Sequence, residues 1–203
     1  LTFIPSMTFA TTDPSSSDCV VYLQAASGTH TLSLPPAFRW TNSNPDPFFR
    51  SRVYIQGSGD ATYNLASDMY CFDFELYNGT FNTNNFNATV GAYTVIADYS
   101  YGYDIPLPHA VTANLGTSTL TGGLWSVLGP DRVTLNASQA TIVATRSFYS
   151  GSGNSFGTLS FPSVGVTCEV GGTFAVSTLN IPSNTVKLRF ATGSVISVDT
   201  LVA

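Results

Sequence analysis

Gly153-Asn154-Ser155-Phe156-Gly157 fits the G-x-S-x-G pattern that presents a nucleophilic serine for acyl transfer. That chemistry needs a strand before the serine and a helix after it, so that a strained turn lifts the hydroxyl clear. Here Thr158-Leu159-Ser160-Phe161-Pro162 follows, which reads as extended and ends in proline. The segment therefore reads as a Gly/Ser hairpin loop. A triad would also need His30 or His109, the only histidines. His30 sits in an alternating strand, His109 follows a proline loop, and neither has a helper motif. Asp73 and Glu75 offer a second chemistry. Two positions apart on a strand, they point the same way about 6.5 to 7 Å apart, a separation that glycosidases use. Glycosidase carboxylates come from different strands flanking a cleft, so this pair reads as a solvated strand face. There is no D-x-D-x-D-G calcium loop. Cys19, Cys71 and Cys168 lack metal-type spacing. The expectation is a chain with no catalytic residues, no metal and no cofactor.

Other residues suit binding. Tyr99, Tyr101 and Tyr103, flanked by Asp98 and Asp104, share one face if their strand continues. Such an aromatic ladder with nearby carboxylates suits sugar rings or protein partners. Trp40 and Trp125 read equally as core or as ligand platforms. The N-x-S/T sites are Asn78, Asn87 and Asn136. With 13 asparagines and Ser plus Thr filling roughly a quarter of the chain, composition alone accounts for that number. Asn78 falls in a turn and Asn87 in an Asn-rich loop, where glycans fit. In an oxidising compartment Cys19 and Cys71 are the pair placed to form a disulfide, the alternative being three buried free thiols.

Positioning these groups falls to strands. Apolar residues alternate, and Gly, Pro, Asn and Ser interrupt them every 8 to 12 residues or so, the rhythm of a sandwich or barrel. In Met69–Tyr77 the pattern places Tyr70, Phe72, Phe74 and Leu76 in a core and Cys71, Asp73 and Glu75 towards water. Further strands are expected at Cys19–Ala25, Thr29–Leu34, Ser51–Gln56, Ala92–Tyr99, Leu124–Leu128, Ala140–Tyr149, Val164–Val170, Thr173–Leu179, Thr185–Phe190 and Val195–Val202. No internal repeat stands out. The predicted fold is all-β, an antiparallel β-sandwich (Ig-like or jelly-roll-like) over residues 19–203, with residues 1–18 as an extended N-terminal strand and hinge.

Only 9% of the 203 residues are charged, and the net charge is −5. About a quarter charged is usual, so hydroxyls stand where charges normally would. The absence of a basic run excludes a nucleic-acid partner, and no apolar run is long enough to span a membrane. A chain starting at Leu1 reads as a mature secreted protein or an excised domain. Localisation outside the cell, at the cell surface or on a virion, follows from this reading.

At the N-terminus an apolar strand with Leu1, Phe3, Ile4, Met7 and Phe9 precedes the polar joint Thr11–Asp18, and Cys19 opens the compact part. This layout resembles the subunits of donor-strand-complemented surface filaments, the pilus and thread type, though it lacks the C-terminal strand signature of chaperone-assembled pilins. The resemblance implies a head-to-tail homopolymer in which residues 1–10 complete a neighbour's sheet. The expected function is that of a non-enzymatic surface-filament subunit. The alternatives are a projecting domain of a viral or phage capsid binding host receptors, and a carbohydrate-binding or adhesin module.

Overall fold

The computed structural model describes residues 18–33, 50–56, 60–97, 110–128, 132–162, 165–181 and 187–203. All regular structure among them is β-strand. No helix there is long and apolar enough to cross a membrane. One wall contains β1 (Asp18–Leu23), β3 (Arg50–Ile55), β5 (Met69–Leu76), β7 (Ala88–Ala97) and β9 (Thr119–Leu128). A second wall contains β2 (Gly28–Leu32), β4 (Ala61–Leu65), β6 (Gly79–Asn82) and β8 (Val111–Asn114). The long β10 (Val133–Ser160) belongs to both, and β11 (Thr167–Asn180), β12 (Lys187–Phe190) and β13 (Val195–Val202) extend the stack.

Every pairing among the described residues is parallel. The order β1-β3-β5-β7-β9-β10-β8-β6-β4-β2 climbs one wall and descends the other, a curled sheet. The all-β expectation holds, and the antiparallel sandwich is overturned. Turn residues every 8 to 12 positions serve a hairpin and a coil of stacked rungs equally well. What separates the two is the spacing of partners. Thr62 pairs with Thr80, Met69 with Ala88 and Val111 with Val133, so the chain returns to the same wall after 18 to 22 residues. Parallel strands need a crossover of about a dozen residues or more, usually a helix. Here the opposite wall is the crossover. A repeat therefore exists where none was expected. Two rungs are longer, with an offset of 32 positions from Asp18 to Arg50 and from Gly79 to Val111.

Stacking aligns inward side chains in columns. Val53, Phe74, Thr94, Trp125, Phe148 and Val170 follow one another from strand to strand, all buried. Phe74 meets Phe81 of the opposite wall with ring centroids 4.8 Å apart. The backbone amide of Ala25 donates to Tyr63 Oη at 2.9 Å, tying a turn to the core.

The first wall is kinked. Its register slips between Cys71 and Asp73, between Val90 and Tyr93, and between Ala144 and Ser147, at the same height in successive strands. The pleat of β5 resumes out of phase beyond the slip. Met69 and Cys71 point inward before it, Phe74 and Leu76 after it, and Tyr70 and Phe72 are half-buried. The expected uninterrupted face of Tyr70, Phe72, Phe74 and Leu76 fails for this reason, since a bulge shifts the alternation by one residue. The second wall shows no such slip.

Candidate functional site

Ser155 is exposed on β10, and the strand runs on to Ser160, so no helix lifts it. Its neighbour Asn154 is buried and donates from Nδ2 to Ser150 Oγ at 2.9 Å. The G-x-S-x-G segment is thus strand, where a hairpin loop was expected. His30 Nε2 lies 2.9 Å from the Ser27 carbonyl oxygen, and its ring packs against Tyr63. His109, Trp40, Tyr99, Tyr101 and Tyr103 lie outside the described residues, as do Leu1, Phe3, Ile4, Met7 and Phe9. Among the described residues no group of three or more His, Cys, Asp or Glu is placed to hold a metal ion.

Asp73 is buried, not solvated as its alternating position suggested. Its Oδ2 is 3.1 Å from Arg52 Nε on β3, and its Oδ1 accepts from the backbone amide of Tyr93 on β7 at 3.2 Å. Glu75 accepts a hydrogen bond from Tyr77 Oη. Asp73 is thus engaged from both neighbouring strands, which suits pinning of the kink, while Glu75 is held by Tyr77 two residues along its own segment. Burial, followed by the nearby Glu75 carboxylate, pushes the Tyr54 phenol above its ordinary range.

Cys71 does not carry the disulfide expected with Cys19. Cys71 is a buried free thiol, and so is Cys168. β3 runs between the strands of Cys19 and Cys71, which sets their backbones about 9 to 10 Å apart, beyond the roughly 7 Å limit for a disulfide. Burial, and then the Asp73 carboxylate, push the Cys71 thiol far above its ordinary value. Only the thiolate is nucleophilic. Cys71 is therefore expected to resist iodoacetamide in the native protein at pH 8 and to react in denaturant. Peptide mass spectrometry of the labelled sites checks this, and rapid native labelling of Cys71 would contradict it.

The sequons divide. Asn78 is buried, with its Oδ1 accepting from the Gly79 amide at 3.1 Å, so the folded wall has no room for a glycan there. Asn87 is exposed while its Oδ1 accepts from the Thr119 amide at 2.9 Å. Asn136 is exposed too.

Two surfaces stand out that the sequence reading missed. The second wall repeats a four-residue pattern: Ala61-Thr62-Tyr63-Asn64, Gly79-Thr80-Phe81-Asn82, Val111-Thr112-Ala113-Asn114 and Val133-Thr134-Leu135-Asn136. The register aligns Thr29, Thr62, Thr80, Thr112 and Thr134 in one outward column. A second outward column aligns Thr31, Asn64, Asn82, Asn114 and Asn136. Asn82 Nδ2 donates to Asn64 Oδ1, Asn114 to Asn82 and Asn136 to Asn114, each at 2.6 Å. The recurring T-x-N was the available signal. It was hidden by two rungs of unequal length.

The other surface is the last rung. β12 and β13 pair only with β11, which leaves a parallel edge open among the described residues. Their side chains continue the core columns into solvent. Leu201 sits over Leu179 and is 61% exposed where Leu179 is 7%; Phe190 sits over Val170 and is 55% exposed where Val170 is 2%. Val198 over Val176 repeats the contrast. No family, no curated protein and no solved structure matches this chain.

Proposed function

We propose that this chain is a non-enzymatic structural protein of an extracellular, cell or virion surface, and that its copies stack end to end. The support is the last rung. Among the described residues, Phe190, Val198 and Leu201 present a core that continues upward with nothing over it, beside an unpaired strand edge. Covering such side chains is worth roughly 1.5 to 3 kcal/mol each, and an open edge is a ready template for one more strand. The occupant that fits is the N-terminal segment of a second copy, whose Leu1, Phe3, Met7 and Phe9 alternate as an added strand requires. Such a contact is heterologous, so repetition gives a fibre. The sparse charge of the chain agrees with a surface hidden by neighbours.

The experiment compares the full chain with a variant lacking residues 1–10, using sedimentation velocity and negative-stain microscopy across a concentration series. Head-to-tail oligomers or filaments from the full chain, lost on truncation and weakened by Leu201→Lys, are expected. A full chain that stays monomeric at every concentration, or a truncated one that assembles equally well, sinks the proposal.

A further inference from the structure

The threonine–asparagine wall has no part in stacking, and its geometry points to a separate activity: we propose that this face binds ice. Four observations carry the inference.

The first is its two-dimensional repeat. Adjacent strands are about 4.8 Å apart, and alternate residues along a strand are about 6.7 Å apart. Five strands in unbroken register make this a lattice of paired positions. Both spacings are close to the repeats of water oxygens on a prism face of hexagonal ice. The kinked wall, with its slips in register, offers no such lattice.

The second is chemistry. The outward positions of these two columns hold only threonine and asparagine. Each threonine pairs a methyl, around which water forms cages, with one hydroxyl that anchors a cage to the protein. Among the described residues the hydroxyls of Thr62, Thr80, Thr112 and Thr134 have no protein partner. Ions would organise water radially and break a lattice. The two columns carry none, whereas the first wall bears Arg52, Asp73 and Glu75.

The third is rigidity. The carboxamides are fixed to one another by three 2.6 Å hydrogen bonds. β-Branched threonine has little χ1 freedom to lose. A surface ordered in advance loses less entropy when it meets an ordered ligand. The fourth is that no aromatic platform faces outward from these two columns among the described residues. A crystalline polysaccharide would be met by outward rings, but Tyr63 and Phe81 are buried.

The test uses residues 1–203 produced in bacteria, so that Asn136 at the edge of the face carries no glycan. Nanolitre osmometry reads thermal hysteresis and crystal shape. The expected result is faceted crystals with a measurable hysteresis gap. Thr112→Tyr puts a bulky ring in the lattice and should reduce the gap to the buffer level, with circular dichroism and melting temperature unchanged. Thr62→Tyr repeats the test on another rung, and Tyr93→Ala on the kinked wall should leave the gap intact. Absence of both hysteresis and faceting for the folded wild type overturns the proposal, as does full hysteresis from a folded Thr112→Tyr. Retention on chitin or cellulose without hysteresis overturns it in favour of a polysaccharide ligand. Stacking of copies has its own readout, so either idea fails without the other.

Discussion

Gly172→Ala is expected to destabilise the fold by about 3 to 5 kcal/mol, or to prevent soluble expression altogether. Gly172 has φ +102°, a region open to glycine and strained for any other residue. Conformation is the smaller part of the effect. A Cβ built at this position falls 1.8 Å from the Ser150 carbonyl oxygen and 2.8 Å from its carbon. Both are main-chain atoms of β10, so no rotamer change relieves the clash; the two strands must separate where they pair. Gly153 is the control. It also has positive φ, +83°, yet a Cβ there meets nothing within 4 Å. Gly153→Ala should therefore show only the left-handed strain of about 1 to 2 kcal/mol. Urea unfolding of the two variants separates strain from collision. Equal losses would mean that the close approach of β10 and β11 is misplaced.

Phe148→Ala should lower stability by about 3 to 5 kcal/mol, the range for emptying a fully buried aromatic site. Phe148 sits at 0% exposure in the middle of the stack. Its ring lies parallel to Trp125 on the strand below at 6.3 Å. It stands edge-on to Phe174 on the strand above at 5.0 Å and to Phe156 of its own strand at 5.2 Å. Three strands lose a shared partner at once, and close packing leaves the neighbours little freedom to fill the gap. Phe190 sits two rungs up in the same column but in the open, so Phe190→Ala should change stability by less than about 1 kcal/mol. Denaturant midpoints with an unchanged slope would confirm both values. A loss below about 1 kcal/mol for Phe148→Ala would mean that the cluster does not hold the rungs together.

The strands were legible where side chains alternate strongly and the run is long. Met69–Leu76, Thr119–Leu128 and Val195–Val202 all overlap strands expected from pattern alone. The strands that went unread are Ala61–Leu65, Gly79–Asn82, Val111–Asn114 and the start of Val133–Ser160. They belong to the second wall, and they are short. Each has only two or three inward residues, some as small as Gly79 or Ala113, so the apolar signal is faint. Parallel pairing was illegible for a different reason. Local pattern reports whether a residue faces in or out, but the partner lies about twenty residues away, and unequal rung lengths blur that period. For the candidate chemistry, the hairpin reading of Gly153–Gly157 fails because β10 passes straight through it. The solvated reading of Asp73 fails because Arg52 and the Tyr93 amide close over it from both sides.

The wall-to-wall period also gives this chain a unit of length. Thr62 and Thr80 occupy the same place on successive rungs. Excising residues 62–79 would join Ala61 to Thr80 and hand every later strand to the neighbour one place down, with each side chain still facing the way it does now. Excising half as many would carry the first wall's residues onto the second and expose the core. Extra residues between strands leave the count of rungs unchanged, since Asp18 still pairs with Arg50 and Gly79 with Val111 at an offset of 32 positions. Growth and shrinkage of the molecule along its axis are thus confined to whole rungs, while the length of chain between strands varies freely.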